Sequence, residues 1–367
     1  MSVDHRHYFF QRHVNFFKRP DCFAMLKIEM ILLFFVAVFS FTLEAMAGSR
    51  IYLTHYTIQS STDAIGEVKS RSGKVLRVQL EGKDAAFFSV GQDNVLRVNK
   101  NLLSGAQSRF EIVVRATLES GQLSEPFIVA KDDFVKNRVV AHRGAWKNTG
   151  APENSLAALR QAVKLGCEGS EFDVHMTADS VPVVNHDNAV QAVSIARTQS
   201  SELLKLQLSN GEPLPTLSAY LTAGMEQMTT RLVLEIKTSE LGKEHSRALT
   251  RKVIELVESH RAQAWVDYIA FDFDVCRQVV RLAPYARVAY LNGDKTPDEL
   301  AAEHFFGLDY HFKVLQKNPG WIEDAHLRNL TVNVWTVNDT TLMKELLDKK
   351  VEFITTNEPE ELLKLVK

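Results

Sequence analysis

The chain has no excess of either charge: 43 Lys and Arg stand against 45 Asp and Glu, a net −2. A nucleic-acid binder would carry a basic surplus, so that class of partner is excluded. Cysteine is scarce, with three in 367 residues, and no disulfide framework is demanded. Cys22 would leave with a leader. Cys167 stands just before one strand-like run and Cys276 just after another, so the two belong at opposite faces and read as buried free thiols. No apolar run reaches the ~20 residues that a membrane span needs. The nearest, residues 31–41, ends before Glu44 and is followed by Ala45-Met46-Ala47, a small-x-small cleavage pattern. Residues 1–47 therefore read as an N-terminal extension and signal peptide. Cleavage near Ala47 would leave a periplasmic or secreted protein with no stable membrane span. Residues 1–24 are polar and basic, unlike a signal peptide, so Met25 or Met30 is taken as the true start.

From residue 48 to 131 the texture is short alternating runs broken by Gly, Asn, Asp and Ser. This predicts a small all-β, antiparallel sandwich of six or seven strands. The runs FFSV, NVLRVNKNLLSG and FEIVVRAT are similar to those of cadherin-like repeats. The acidic clusters that bind calcium between such repeats are missing, so calcium binding is not implied for this part. A module contacting glycan or a surface is one reading. A structural cap is favoured, because no aromatic cluster marks a ligand face. Residues 132–137 read as a charged linker.

After residue 138 strand and helix alternate, the mark of a parallel α/β architecture. Strands are expected at 139–142, 169–174, 231–237, 268–272, 287–291, 307–311, 332–337 and 352–355. Asn154 and Ser155 cap a helix over 156–165 that Gly166 stops. Residues 181–185 follow too closely for a right-handed crossover, so they form a β-hairpin arm. Eight strands remain, giving a (β/α)8 TIM barrel over 138–367. The arm, if its turn is centred between Asp179 and Ser180, pairs residues whose numbers sum to 359 (173 + 186), placing Asp173 opposite His186.

In such a barrel, chemistry sits at the carboxyl ends of the strands. That rule collects His142 and Arg143 from the first strand and Glu171 and Asp173 from the second. It takes Glu235 and Lys237 from the third, Phe271 from the fourth, and Trp335 and Asn338 from the seventh. Three carboxylates on neighbouring strands suit a hard divalent ion, Mg²⁺ or Ca²⁺, rather than zinc. Arg143 and Lys237 would offset the residual negative charge for an anionic phosphodiester. His142 and His186 are the proton-transfer candidates, since imidazole serves as acid or base near neutral pH. Trp335 is a substrate contact. Glu153, Asn154 and Asp187 are supporting residues; Tyr310 and His311 are candidates for reading an alcohol group. The segment 194–211 is expected as a loop and short helix over the mouth.

His142-Arg143-Gly144, Pro152-Glu153-Asn154, Glu171-x-Asp173 and His186-Asp187, in that order, resemble the glycerophosphodiester phosphodiesterases of the phospholipase-C-like barrels. The resemblance implies one divalent ion on Glu171, Asp173 and Glu235, and acid–base roles for His142 and His186. It implies hydrolysis of glycerophosphodiesters to glycerol 3-phosphate and an alcohol. The alternatives are a lysophospholipase D or sphingomyelinase-D-like activity and, from another class, a non-catalytic exported binding protein. The usual Asp-Gly of the family's hairpin turn is Asp179-Ser180 here.

Overall fold

A computed structural model describes residues 51–366, apart from 104 and 106. The leader expected over 1–47 lies outside the described residues. Among the described residues no helix is long and apolar enough to cross a membrane.

The first part is built of two four-stranded sheets. One orders β1 (Ile51–Leu53), β3 (Ala64–Ser70), β6 (Val95–Val98) and β5 (Phe88–Val90). The other orders β2 (Thr57–Ile58), β8 (Gly121–Lys131), β7 (Arg109–Leu118) and β4 (Val75–Glu81). Among the described residues, eight strands thus stand where six or seven were expected. Strand β3 escaped the sequence reading because its AIGEVKS carries little alternation. The run at 51–58 also breaks in two at residues 54–56, where the chain passes from one sheet to the other, so β2 pairs with β8 in parallel. Gly66 permits that crossing: a Cβ there would lie 2.6 Å from the backbone nitrogen of His55.

The second part is a closed barrel of eight parallel strands. They are β9 (Val139–Ala141), β10 (Gly169–Met176), β14 (Arg231–Ile236), β15 (Val266–Ala270), β16 (Arg287–Tyr290), β17 (Gly307–His311), β18 (Thr331–Trp335) and β19 (Phe353–Thr356). Strand β9 closes the ring by pairing with both β19 and β10. The helix Leu156–Leu165 has Ser155 as its cap, accepting from the Ala158 amide, and Gly166 ends it in the left-handed conformation. Cys167 and Cys276 are buried free thiols, as expected.

The hairpin arm exists, as β11 (Pro182–Val184) antiparallel to β10, but its register is shifted by one. Val174 faces Val184 and Met176 faces Pro182, so partners sum to 358 rather than 359. Ser180 is the cause. It adopts φ 63°, the left-handed conformation that glycine would otherwise supply, and makes a three-residue loop where a two-residue turn was expected. Asp173 therefore bonds through its carbonyl to the Asn185 amide, at 3.0 Å, and is not opposite His186.

The segment 132–137 is packed rather than free. Phe134 is buried edge-on against Trp265, with the Arg231 guanidinium over its ring, and Asp132 pairs with Arg231 at 3.3 Å. The β part joins the barrel at the same end. Arg71 pairs with Glu258 at 2.5 Å, Tyr56 meets Tyr285 edge-on, and Arg109 donates to the Met225 carbonyl. Met225, Trp265 and Tyr285 precede β14, β15 and β16, so this contact covers the amino ends of the strands, opposite the site described next.

Candidate active site

Strand parity builds the site. Residues two apart on a strand share a face, and Glu171, Asp173 and Glu235 all point inward; Asp173 and Glu235 are register partners on adjacent strands. Their carboxylate oxygens lie within 4.8 Å of one another, and all three residues are buried. Around them His142, Arg143, His186, Lys237 and Trp335 line one cavity of about 120 Å³, with Phe271 and Asp309 also on its wall. The expected ion, proton-transfer and phosphate residues thus come together around one cavity.

The backbone at the end of β9 is shaped for this. Arg143 adopts φ 58°, turning its amide onto Glu171 Oε2 at 2.8 Å. Gly144 follows at φ 79°, and a Cβ on it would come within 2.7 Å of the Ala158 backbone, so only glycine fits. Arg143 then bonds Glu153 with both carboxylate oxygens at 3.0 Å, while its Nε stands 3.9 Å from Asp173. Asn154 is not the helix cap that the sequence suggested. It grips Asp173 twice: its Nδ2 donates to Oδ2 at 2.8 Å, and its Oδ1 accepts from the Asp173 amide at 3.1 Å. Lys237 reaches Asp173 at 3.2 Å and Glu235 at 2.9 Å.

Crowding three buried carboxylates around one lysine shifts their protons. Burial, then Asp173 and Glu235, push Glu171 well above the ordinary carboxylate range. Burial and Asp173 push Glu235 up to about 7, with Lys237 opposing. Burial alone would raise Asp173 as well, but Lys237, Asn154, His186 and Arg143 outweigh it and hold it below its usual value. A set of hard oxygen donors that must hold protons unless a cation joins them fits a divalent metal ion. The buried triad is thus a candidate divalent-metal site.

The two histidines approach from different elements. His142 donates from Nδ1 to Asn357 Oδ1 at 2.8 Å, which leaves the Nε2 lone pair on the cavity side, 3.9 Å from Glu171. Burial and the neighbouring Arg143 lower its pKa to about 4, so the ring is neutral at pH 7. His186 reaches the cavity because the arm leaves the ladder after Val184. Its Nδ1 pairs with Asp187 at 2.8 Å, and its carbonyl lies 3.0 Å from the Nε2 of buried His175.

Four further residues were missed or misread. Asn357 stands two positions after inward-facing Thr355, and the strand-end rule applied to β19 would have found it. It is fixed in turn by Asn338, whose Oδ1 accepts from its amide at 2.9 Å. Asp309 shares the parity of His311. It is buried, accepts from Asn333 at 3.0 Å, and burial raises its carboxyl to about 8. His175, given no role from sequence, backs His186. Tyr310, expected near the alcohol, is fully buried and faces away, its hydroxyl on the Lys295 carbonyl. Its neighbour His311 does lie beside the site, edge-on to Trp335, as does Phe271.

The chain matches the model of the Glycerophosphoryl diester phosphodiesterase family over residues 142–361, more than half its length. It belongs to that family, and it is a phosphoric diester hydrolase. A glycerophosphodiester phosphodiesterase of Caldanaerobacter subterraneus is 27% identical over 250 residues, 64% of this chain and 99% of that protein. A solved structure of a glycerophosphodiester phosphodiesterase from Parabacteroides distasonis is 45% identical, with a TM-score of 0.61, covering 62% of this chain and 96% of that one. Human glycerophosphodiester phosphodiesterase 1 is similar over a short stretch, 53% identical over 51 residues, 14% of this chain and 15% of that protein.

Proposed function

We propose that this member of the glycerophosphoryl diester phosphodiesterase family hydrolyses glycerophosphodiesters to glycerol 3-phosphate and an alcohol, with His142 and His186 moving the protons. The observation that carries this reading is the convergence of two histidines, three carboxylates, Arg143 and Lys237 on one cavity. Glu171, Asp173 and Glu235 would hold one Mg²⁺ or Ca²⁺, which supplies charge neutralisation and polarisation of a phosphoryl oxygen when bound. Lys237 and Arg143 bring positive charge to the phosphate. One imidazole takes the proton of the attacking hydroxyl and the other returns one to the departing alkoxide. Asn357 keeps His142 in the tautomer whose Nε2 faces the cavity. Asp187 and His175 orient His186. Trp335, its indole nitrogen tied to the Asp309 carbonyl, offers its ring to the substrate's organic part.

The β part acts as a cap on the amino end of the barrel, and the chain works outside the cytoplasm after cleavage near Ala47. Phe271, 37% exposed beside Trp335, favours one second reading, a lysophospholipid substrate with an apolar substituent. The test is the purified protein against a panel of glycerophosphodiesters and lysophospholipids, with EDTA and then Mg²⁺ or Ca²⁺ restored. Release of glycerol 3-phosphate that stops with chelator is expected. His142→Ala and His186→Ala should each lose on the order of 10²–10⁴-fold in turnover while remaining folded and binding the ion. Full activity in either would remove that histidine from the mechanism. Turnover of lysophospholipids alone would install the second reading.

A further inference from the structure

Residues 185–216 form a ledge beside the cavity with a small core of its own. They contain β12 (Ala189–Val190), β13 (Val193–Ser194) and the short helix Ser200–Leu203. Val190, Ile195, Leu203 and Leu214 pack with Val183 in a cluster apart from the main barrel core. His186 lies at the start of the ledge. A unit that packs on itself needs something to fix it to the barrel mouth, or the imidazole it carries would drift with it.

His175 on β10 supplies one connection, at the His186 carbonyl, and Glu240 supplies a second from the neighbouring strand's loop. It lies on the loop after β14, three residues beyond Lys237 and five beyond Glu235. Its Oε2 accepts from Asn188 Nδ2 at 3.0 Å; its Oε1 accepts from Ser194 Oγ at 2.8 Å and from Arg197 Nε at 3.2 Å. Asn188 is two residues from His186. One carboxylate thus ties the arm bearing His186 to the loop bearing Lys237. Charge-assisted bonds of this kind are about twice as strong as neutral ones. The middle of the ledge is anchored separately, by Asp179, which accepts from the Ser200 amide and hydroxyl.

We propose that Glu240 is a positioning residue for the phosphodiesterase reaction, holding His186 at its working distance from the Glu235–Lys237 side of the cavity. This rests on the catalytic reading of His186 given above. Displacement of a reacting group by about 1 Å can cost on the order of 10²-fold in rate. Loosening the ledge should therefore act on turnover rather than on binding, because Arg143, Lys237 and the three carboxylates stay in place.

The experiment is a mutant cycle on the full protein with its ion. Glu240→Ala is expected to lower kcat by about 10- to 100-fold with KM within about 3-fold of the parent. Glu240→Gln, which retains an acceptor for Ser194 and Arg197, should recover most of the loss. In the His186→Ala background the same Glu240→Ala change should have no further effect, since the residue it positions is gone. Backbone hydrogen exchange supplies a readout independent of turnover. Glu240→Ala should speed exchange over residues 186–197 and leave the barrel strands unchanged. Unaltered kcat and exchange would overturn the proposal. So would an equal loss with and without His186, which would place the effect elsewhere. If the parent protein hydrolyses no phosphodiester, the catalytic reading fails and with it the kinetic role; exchange then decides only whether the tether exists.

Discussion

Removing or adding the divalent ion should move protons, and the amount follows from the geometry. Glu171, Asp173 and Glu235 are buried within 4.8 Å of one another, and Glu235 is pushed up to about 7. At pH 6 it therefore holds roughly nine-tenths of a proton, and at pH 8 roughly a tenth. Glu171 is also pushed well above the ordinary carboxylate range, by burial and by Asp173 and Glu235. An ion needs ionised oxygens, so at pH 6 binding should release about one proton from Glu235. From Glu235 alone the apparent affinity should rise about tenfold between pH 6 and pH 8. Titration calorimetry with Mg²⁺ and with Ca²⁺, in buffers of different ionisation heat, measures both quantities. Glu235→Gln should remove its share of the release. Stability without the ion carries the same signature. Above about pH 4.5 the unfolded chain has released the proton that folded Glu235 still holds, so folding stability falls as pH rises from 4.5 to about 7, by about 3 kcal/mol. Proton-free binding with equal affinity at pH 6 and 8 would refute the reasoning. It would mean that the carboxylates are ionised before the ion arrives.

Three further perturbations test other parts of the structure. Asn357→Ala frees His142 Nδ1 and should lower kcat by about tenfold or more with ion binding intact, whereas Asn357→Asp should shift the limb of the pH–rate profile that reports His142 to higher pH. Arg71→Ala takes the guanidinium from Glu258, which keeps the Tyr285 hydroxyl at 3.0 Å; a loss of about 2 kcal/mol in denaturant unfolding is expected, with kcat unchanged because this contact lies at the far end of the barrel. Ser180→Gly relieves a positive φ of 63° in the arm and should stabilise by up to about 1 kcal/mol, seen as a higher denaturation midpoint.

The barrel was legible in the sequence because its information is local. Each strand is a short apolar run bounded by turn residues, and several helices carry their own cap, as Ser155, Thr216, Thr296 and Asp339 do, so eight strands could be counted from one end to the other. Much of the site was legible for the same reason: Glu171-x-Asp173 and Glu235-x-Lys237 declare a shared face through the two-residue period of a strand. What tertiary structure decided was everything that depends on distant partners or on one backbone torsion. Ser180 in the left-handed conformation moved the arm by one residue, and a one-residue slip reverses every side chain on a strand. His186 still reaches the cavity, since the chain leaves the ladder before it. Asn154 reads as a helix cap in sequence, yet in space Asp173 takes both ends of its amide. Asn357 and Asp309 come from strands far along the chain and meet His142 and Glu235 only when the ring closes. The charged stretch at 132–137 reads as solvated linker, but Phe134 within it is buried against Trp265. Periodicity reports which face of an element is apolar; only packing in three dimensions selects what that face meets.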